Sequence, residues 1–367
     1  MTDPRVTKLA QVLVHYSVEI KPKQQVMIRT NPLAEELTLA VYEEVVKSGA
    51  YPLVLNETPG TQEIFFKFAD EDQLDHISPV VKMVMETFDA SITLWSDYNT
   101  RRFSGADNAK MARARHASAP IMRTAMRRTA TGEFRWVVTV YPTHAMAQEA
   151  DMSLDDYREF VFRAGLLHED DPVSLWKAEG LKQQKLIQWL KNRDQAVIKG
   201  SNADIVLSIK DRTFIECSGK ANFPDGEIFT GPVEDSVNGW IRFKYPALFA
   251  GQEITDIELW FENGRVIKEK ASKNQELLTS ALNTDAGSRF LGEWGIGTHY
   301  GIQRFTKNML FDEKMGGTIH FAVGAGYPES GSKNESGLHW DMLCDMSDAE
   351  ITLDGDLFYK NGRTVIQ

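Results

Sequence analysis

The chain has 367 residues, 42% of them hydrophobic and 25% charged, which is typical of a soluble globular protein with two or three domains. Its net charge of −11 argues against bulk electrostatic binding to nucleic acid or to an anionic membrane. Two cysteines exclude a disulfide framework, and no apolar run approaches the ~18 residues of a membrane-spanning helix. The N-terminal residues do not resemble a signal peptide, so we expect a cytoplasmic protein.

Strand and helix patterns alternate at the start of the chain. Apolar residues recur at helical spacing over residues 4–18, and residues 25–30 have the composition of a buried strand. A second helix is predicted over residues 33–48, followed by a strand at residues 52–56. Strand, helix and strand within ~30 residues form a βαβ unit and predict a parallel, Rossmann-like sheet. The turn after Thr30 lacks a Gly-x-Gly-x-x-Gly pattern, which argues against a dinucleotide site.

The middle of the chain contains a basic stripe within an acidic protein. Strands are predicted at residues 90–95 and 136–142, and helices at residues 153–168 and 172–193. Between the first two strands, residues 101–128 hold eight lysines and arginines but a single acid. This stripe is either a helix face that is solvated or packed on acidic neighbours, or a surface that attracts a substrate carboxylate.

The helical pattern gives way to strands after residue 200, which predicts a domain boundary there. We therefore expect an α/β domain at residues 1–200, with a Rossmann-like sheet, and a strand-rich α+β domain at residues 201–367. Asn-Gly pairs at 263–264 and 361–362 predict two hairpin turns, and residues 276–291 are expected to form a helix.

Side chains with the chemistry of metal ligands lie close together near the C-terminus. His320, His339 and Asp341 fall within 22 residues, and Glu227 and Glu293 stand upstream in segments flanked by glycine, which we interpret as turns. Imidazole nitrogens and carboxylate oxygens bind zinc and similar divalent ions without thiolates. Two histidines and three acids exceed one four-coordinate zinc site but suit two ions that share carboxylates, as in metal-assisted hydrolysis.

Strand geometry supports part of this cluster. His339 and Asp341 are two residues apart, so on a strand both point to one face while Trp340 packs behind the sheet. His320 and Tyr327 flank an apolar strand that runs into glycine-rich backbone, where chain and ligand approach closely. The alternative is that the histidines are satisfied core residues and that the two upstream glutamates face solvent from their turns.

Four segments resemble the thermophilic metalloprotease family, the aminopeptidases of the T and S type, in a similarity that covers nearly the whole chain. The segments are Asn222–Glu227, Arg289–Glu293, Gly326–Pro328 and His339–Asp341. The resemblance implies two divalent ions, with zinc expected and cobalt or manganese as other candidates. The ligands that it implies are Glu227, Glu293, His320, Tyr327, His339 and Asp341. The segment Pro328–Leu338 is shorter than the family pattern leads us to expect.

The resemblance also implies a function. Members release N-terminal residues from peptides and form homodimers that enclose the site, so we expect peptide substrates and a second copy of the chain as partners. Glu227 or Glu293 is the candidate general base, and Tyr327 the candidate stabiliser of the oxyanion. Two alternatives stay open, a metal-dependent hydrolase of another amide or ester and a metal-binding module without peptidase activity.

Overall fold

The computed structural model describes residues 3–366. The helices are α1 Pro4–Val12, α2 Glu35–Lys47, α3 Thr61–Phe68, α4 Glu71–Asp75, α5 Pro79–Thr87, α6 Asn108–Ala130, α7 His144–Glu149, α8 Leu154–Ala164, α9 Pro172–Leu190, α10 Gln275–Leu282 and α11 Met309–Asp312. Short π- and 3-10 turns lie at Leu13–Ser17, Pro32–Ala34 and Pro328–Ser330. Over the described residues, none of these helices combines the length and apolar character that crossing a bilayer requires.

Most of the strands belong to the second half of the chain. They are β1 Gln25–Thr30, β2 Tyr51–Asn56, β3 Ala90–Trp95, β4 Arg135–Val140, β5 Gln195–Gly200, β6 Ala203–Ser208, β7 Ile215–Cys217, β8 Asn222–Phe223, β9 Glu227–Thr230, β10 Asn238–Phe243, β11 Ala247–Phe249, β12 Gln252–Ile254, β13 Ile257–Glu262, β14 Arg265–Lys270, β15 Leu291–Gly297, β16 Thr318–Gly324, β17 His339–Asp345, β18 Glu350–Leu353, β19 Asp356–Lys360 and β20 Arg363–Thr364.

The first compact unit contains a parallel sheet. It comprises the described residues up to Leu175 together with Gly219–Pro224, and its strands are ordered β2-β1-β3-β4-β8. Each neighbouring pair in this sheet is parallel. Val26, Met27 and Ile28 of β1 are buried in succession, as expected when helices cover both faces of a parallel sheet. The predicted Rossmann-like sheet is confirmed.

The basic stripe has structural partners inside this unit. Arg113 of α6 forms ion pairs of 2.7 Å with Asp75 and with Glu71 of the neighbouring helix α4. Lys110 and Arg128 donate hydrogen bonds to main-chain carbonyl groups of this unit. These contacts favour the interpretation of this part of the stripe as a packed helix face, because its charges fix α6 to adjacent elements.

The second compact unit is almost entirely antiparallel. It comprises Trp176–Ser218 and the described residues from Asp225 onward. One sheet has eight strands in the order β14-β13-β10-β6-β5-β18-β19-β20, and another has five in the order β17-β16-β15-β9-β7. The predicted strand-rich region is confirmed. The domain boundary at residue 200 stays a prediction, because a compact unit need not equal an independently folding domain.

Turn residues explain two hairpins that the sequence predicted and one helix that ends earlier than predicted. Asn263 and Asn361, each followed by glycine, adopt positive φ angles of 48° and 50°, and both form the predicted hairpins. The helix expected over residues 276–291 ends instead at Leu282. Asp285 accepts hydrogen bonds of 3.0 Å from the backbone of Gly287 and of Ser288, and this local side-chain turn competes with helix.

We predict that Ile241→Ala lowers the free energy of unfolding by about 2–5 kcal/mol, because it removes packed atoms from a strand between β6 and β13. Ile241 is fully buried and lies opposite Ala203 and Leu259. The matched control is Ile267→Ala on the edge strand β14, where the side chain is 57% exposed and the change should stay within about 0.5 kcal/mol. Urea unfolding measures both, and equal losses would contradict the packing shown here.

Candidate metal centre

Side-chain alternation gives the five-stranded sheet of the second unit, β17-β16-β15-β9-β7, two chemically different faces. Successive residues of a strand point to opposite faces, so each of β15, β16 and β17 contributes to both. The residues directed into the apolar core are Trp294, Ile296, Ile319, Phe321, Val323, Trp340 and Met342. The residues between them carry the candidate ligands Glu293, His320, His339 and Asp341. Packing of the apolar face therefore fixes the direction of the ligand side chains.

Strand register brings these ligands side by side. Glu293 pairs with Ala322, which pairs in turn with Asp341 on the next strand. Glycines lie opposite three of the ligands: Gly295 opposite His320, Gly297 opposite Glu227 and Gly324 opposite His339. On their other sides, His320 pairs with Leu343 and Glu227 with Cys217. Residues that pair across strands share a face, so one face collects five of the six candidate ligands.

The two upstream glutamates differ in local structure. Glu227 is the first residue of β9, directly after the turn at Gly226, which matches the sequence interpretation. The prediction of a turn at Glu293 was wrong, because this residue lies within β15, just after a shift in register that follows Leu291. Such a bulge redirects a side chain without ending the strand. Both glutamates are buried, so neither is a solvent-facing turn residue.

His320 lies at the centre of the first group of ligands. Its Nε2 atom is 3.2 Å from Oε2 of Glu227 and 3.1 Å from Oε1 of Glu293. The imidazole is fully buried, and these three residues form one of the clusters with metal-ligand geometry. Ligand atoms spaced this closely around a common point fit a zinc ion, whose bonds are about 2.0–2.2 Å long.

His339 forms a second group that shares Glu293 with the first. Its Nε2 atom is 3.4 Å from Oδ2 of Asp341 and 3.7 Å from Oε2 of Glu293. Its Nδ1–H donates to the carbonyl oxygen of Ala325 at 2.7 Å, which directs Nε2 toward the carboxylates. The two oxygens of Glu293 thus face different histidines.

Tyr327 lies beside the second group. Its ring packs edge-on against His339, with 5.1 Å between ring centroids, and tilts against Phe229 at 5.4 Å. Burial raises the pKa of its hydroxyl well above the usual value, and the nearby Glu293 and Asp341 raise it further. Both effects favour the neutral phenol form of this side chain.

Two residues of the site were missed in the sequence analysis. Glu313 offers a carboxylate oxygen within 4.8 Å of ligand atoms of His320 and Asp341. Lys314 is fully buried and donates to both Glu227 and Glu313, while its Nζ atom is 3.7 Å from Oδ1 of Asp225. Their only sequence signal is a charged Glu-Lys pair seven and six residues before His320, in a segment without strand periodicity.

Mutual electrostatics shifts the ionisation of the cluster. Burial raises the pKa of the carboxyl groups of Glu227 and Glu293, because a charged form loses its hydration there. Burial opposes the charged form of His320, but Glu227 and Glu293 outweigh it and raise the imidazole pKa to about 9. Burial likewise works to raise the pKa of Asp341, yet the adjacent His339 holds it at about 2.

Small residues create the space in which the ligands meet. A Cβ atom on Gly295 would lie 2.0 Å from the Nε2 atom of His320, and one on Gly297 would lie 2.1 Å from the carbonyl oxygen of Met315. Real Cβ atoms do not approach other atoms so closely. The glycine of β15 opposite His320 is therefore required by the position of the imidazole.

The donor set fits a divalent metal. Oε2 of Glu227 and Oδ1 of Asp341 are buried and accept no hydrogen bond from the described residues. Buried oxygens without a partner are rare in folded proteins, and a cation accounts for both. The six candidate ligands include two imidazoles and several carboxylates and no thiolate. This donor set suits zinc and similar divalent ions.

Fold and site together define a metal-dependent hydrolase. A model of the thermophilic metalloprotease (M29) family matches residues 2–363, and the chain belongs to that family. Aminopeptidase 2 of Geobacillus stearothermophilus is 24% identical, over 96% of this chain and 94% of that protein. Aminopeptidase T of Thermus thermophilus is 24% identical, over 97% and 95%. The solved structure of wild-type AmpT from Thermus thermophilus aligns over 99% of both chains with a TM-score of 0.86 and 21% identity, so the fold is shared.

We predict that Gly295→Ala weakens metal binding by about tenfold or more, because the new methyl group displaces the imidazole of His320 from its ligand position. Metal content after dialysis, measured by atomic absorption, reports the loss. The matched control is Gly105→Ala, whose Cβ meets no atom within 4 Å and whose metal content should equal that of the wild type. Unchanged affinity in the Gly295 variant would exclude His320 as a ligand.

Proposed function

We propose that this protein is a metal-dependent aminopeptidase that removes N-terminal residues from peptides. The observation that carries the proposal is the convergence of Glu227, Glu293, His320, His339 and Asp341 on one sheet face. Membership of a metalloprotease family supplies the class of reaction, and relatives along the full length of the chain are named aminopeptidases. Together these findings support hydrolysis at a free N-terminus.

The ligand groups divide naturally between two ions. We assign Glu227 and His320 to the first, His339 and Asp341 to the second, and Glu293 to both, because its oxygens face the two histidines separately. Zinc is the ion that we expect, with cobalt and manganese as other candidates. Bound divalent ions polarise a peptide carbonyl and make water a better nucleophile at neutral pH.

Two further residues complete the proposed ligand shell. Tyr327 stays in the proposed ligand set through the family pattern, and its ring already lies against His339. Glu313 is an additional candidate, since its carboxylate groups with His320 and Asp341. With Glu313 as a seventh candidate ligand, Glu227 or Glu293 could be released from the metals to act as the general base.

The protein's own residues supply proton transfer and charge stabilisation. One of Glu227 and Glu293 is proposed to be held only loosely by metal and to act as the proton acceptor, because burial raises the pKa of both carboxyl groups. As the alternative to a ligand role, Tyr327 in its neutral phenol form would donate a hydrogen bond to the oxyanion that develops on the scissile carbonyl. Carboxylate oxygens at the site attract the positively charged α-amine of a peptide.

We predict that the purified protein hydrolyses aminoacyl chromogenic substrates, that a chelator abolishes this turnover, and that added divalent ions restore it. Metal dependence follows from a donor set of imidazoles and carboxylates that fits divalent ions. Release of the chromophore measures the rate before chelation, after chelation and after addition of zinc, cobalt or manganese.

The control substrate carries the same amino acid with an acetylated α-amine. An aminopeptidase should leave it intact, because acetylation removes the charge that the carboxylates attract. Equal cleavage of both substrates would favour a hydrolase of other amides, and turnover that survives complete removal of metal would rule out the proposed mechanism.

We also predict a homodimer whose interface shelters the site, which keeps folded proteins away from the metals by sterics. Light scattering at micromolar concentration should give twice the 41.5 kDa of one chain, since a closed two-fold pair is the commonest soluble assembly. An obligate interface of this kind buries more than about 2,000 Å² in total. A mass of one chain would contradict the dimer.

The cytoplasmic location expected from the sequence stays a prediction.

A further inference from the structure

Lys314 is a cation buried inside the candidate metal centre. Its side chain is fully buried, and its ammonium donates to Oε1 of Glu227 and Oε1 of Glu313. The other oxygen of Glu227 faces His320 at 3.2 Å and has no hydrogen-bond donor among the described residues. One oxygen of this carboxylate is therefore held by lysine, and the other is available to a metal.

The ammonium group of Lys314 also lies beside a third cluster of possible metal ligands. Cys217, Asp225 and Glu227 place ligand atoms within 4.8 Å of one another, which is the geometry of a cation site. Lys314 contacts Glu227 directly and is 3.7 Å from Oδ1 of Asp225. A positive charge of the protein therefore accompanies this third cluster, which contains the thiol that would otherwise attract a soft metal.

We propose that Lys314 acts as an internal cation of the metal centre. Its ammonium group holds Glu227 and Glu313 in place and lowers the affinity of the site for divalent ions. The proposal rests on the ligand assignment made under the proposed function. In this role Lys314 is a positioning residue that acts through two carboxylates and touches neither substrate nor the reacting atoms.

The charges of the site support this role. Five carboxylates are gathered here, those of Asp225, Glu227, Glu293, Glu313 and Asp341. Two divalent ions and one lysine carry five positive charges, which match the five carboxylates. Without the lysine, the same two ions would face one more uncompensated negative charge and would be held more tightly.

Two opposite effects of removing Lys314 must be weighed. Loss of the hydrogen bonds frees Glu227 and Glu313 to reorient, which weakens metal binding. Loss of the positive charge beside the ligand carboxylates would remove a repulsion on bound ions that water cannot screen in a buried site. Glu227 is also fixed by its place on β9 and by its contact with His320, so its reorientation is limited and the charge effect is larger.

The test measures metal release from the intact, metal-loaded protein. Zinc-loaded wild type and Lys314→Met are mixed with excess chromophoric chelator, and the rate of zinc transfer is followed by absorbance. We expect the variant to release zinc about tenfold more slowly or slower still, because the buried repulsion is gone. Lys314→Gln, which keeps a polar group, is the second variant and should change in the same direction.

Two control variants distinguish an effect of the Lys314 charge on zinc release from an effect of its packing. Lys314→Arg preserves the charge and should release zinc at a rate near that of the wild type. Lys270→Met removes an exposed lysine that pairs with Glu258 and should leave the rate unchanged. A merely structural role of Lys314 would lower the unfolding temperature without slowing metal release.

The possible failures are distinguishable. Zinc release from Lys314→Met and Lys314→Gln at the wild-type rate or faster overturns the role of Lys314 as an opposing cation. A wild-type protein that takes up no divalent ion at all overturns the proposed metal centre itself, whatever the variants do.

Discussion

Buried negative charge is the constraint on which this site depends. Five carboxylates lie in or beside one sheet face, and their ionised forms are costly to remove from water unless cations accompany them. Lys314 supplies positive charge from the chain, and the orphaned oxygens of Glu227 and Asp341 indicate that divalent ions supply the rest. Metal binding is thus tied to the stability of this region as well as to catalysis.

The same strands build the hydrophobic core and the metal centre. Trp294 and Phe321 pack into the core from positions adjacent to Glu293 and His320. Core packing on one face of the sheet therefore fixes the positions of the ligand side chains on the other face. Gly295 opposite His320 completes the arrangement, because any side chain there would occupy the volume of the imidazole. Precision at such a site comes from regular secondary structure, which is more rigid than a loop.

Regular patterns made much of this structure predictable from the sequence. The βαβ order predicted the parallel sheet, and the spacing of His339 and Asp341 predicted one strand face, because alternation is a local property of the backbone. Glu293 was misplaced in a turn because a glycine at a bulge resembles a glycine at a turn. Glu313 and Lys314 were missed because only tertiary folding brings their irregular segment to the strands.

The position of β5 has a consequence for dividing the protein. This strand lies between β6 and β18 in the middle of the eight-stranded sheet, although it precedes residue 201 in sequence. A fragment that began at Ser201 would split that sheet and leave β6 and β18 each with one unpaired edge, the kind of surface from which intermolecular β-pairing starts. A recombinant piece that carries the metal ligands must therefore begin upstream of β5.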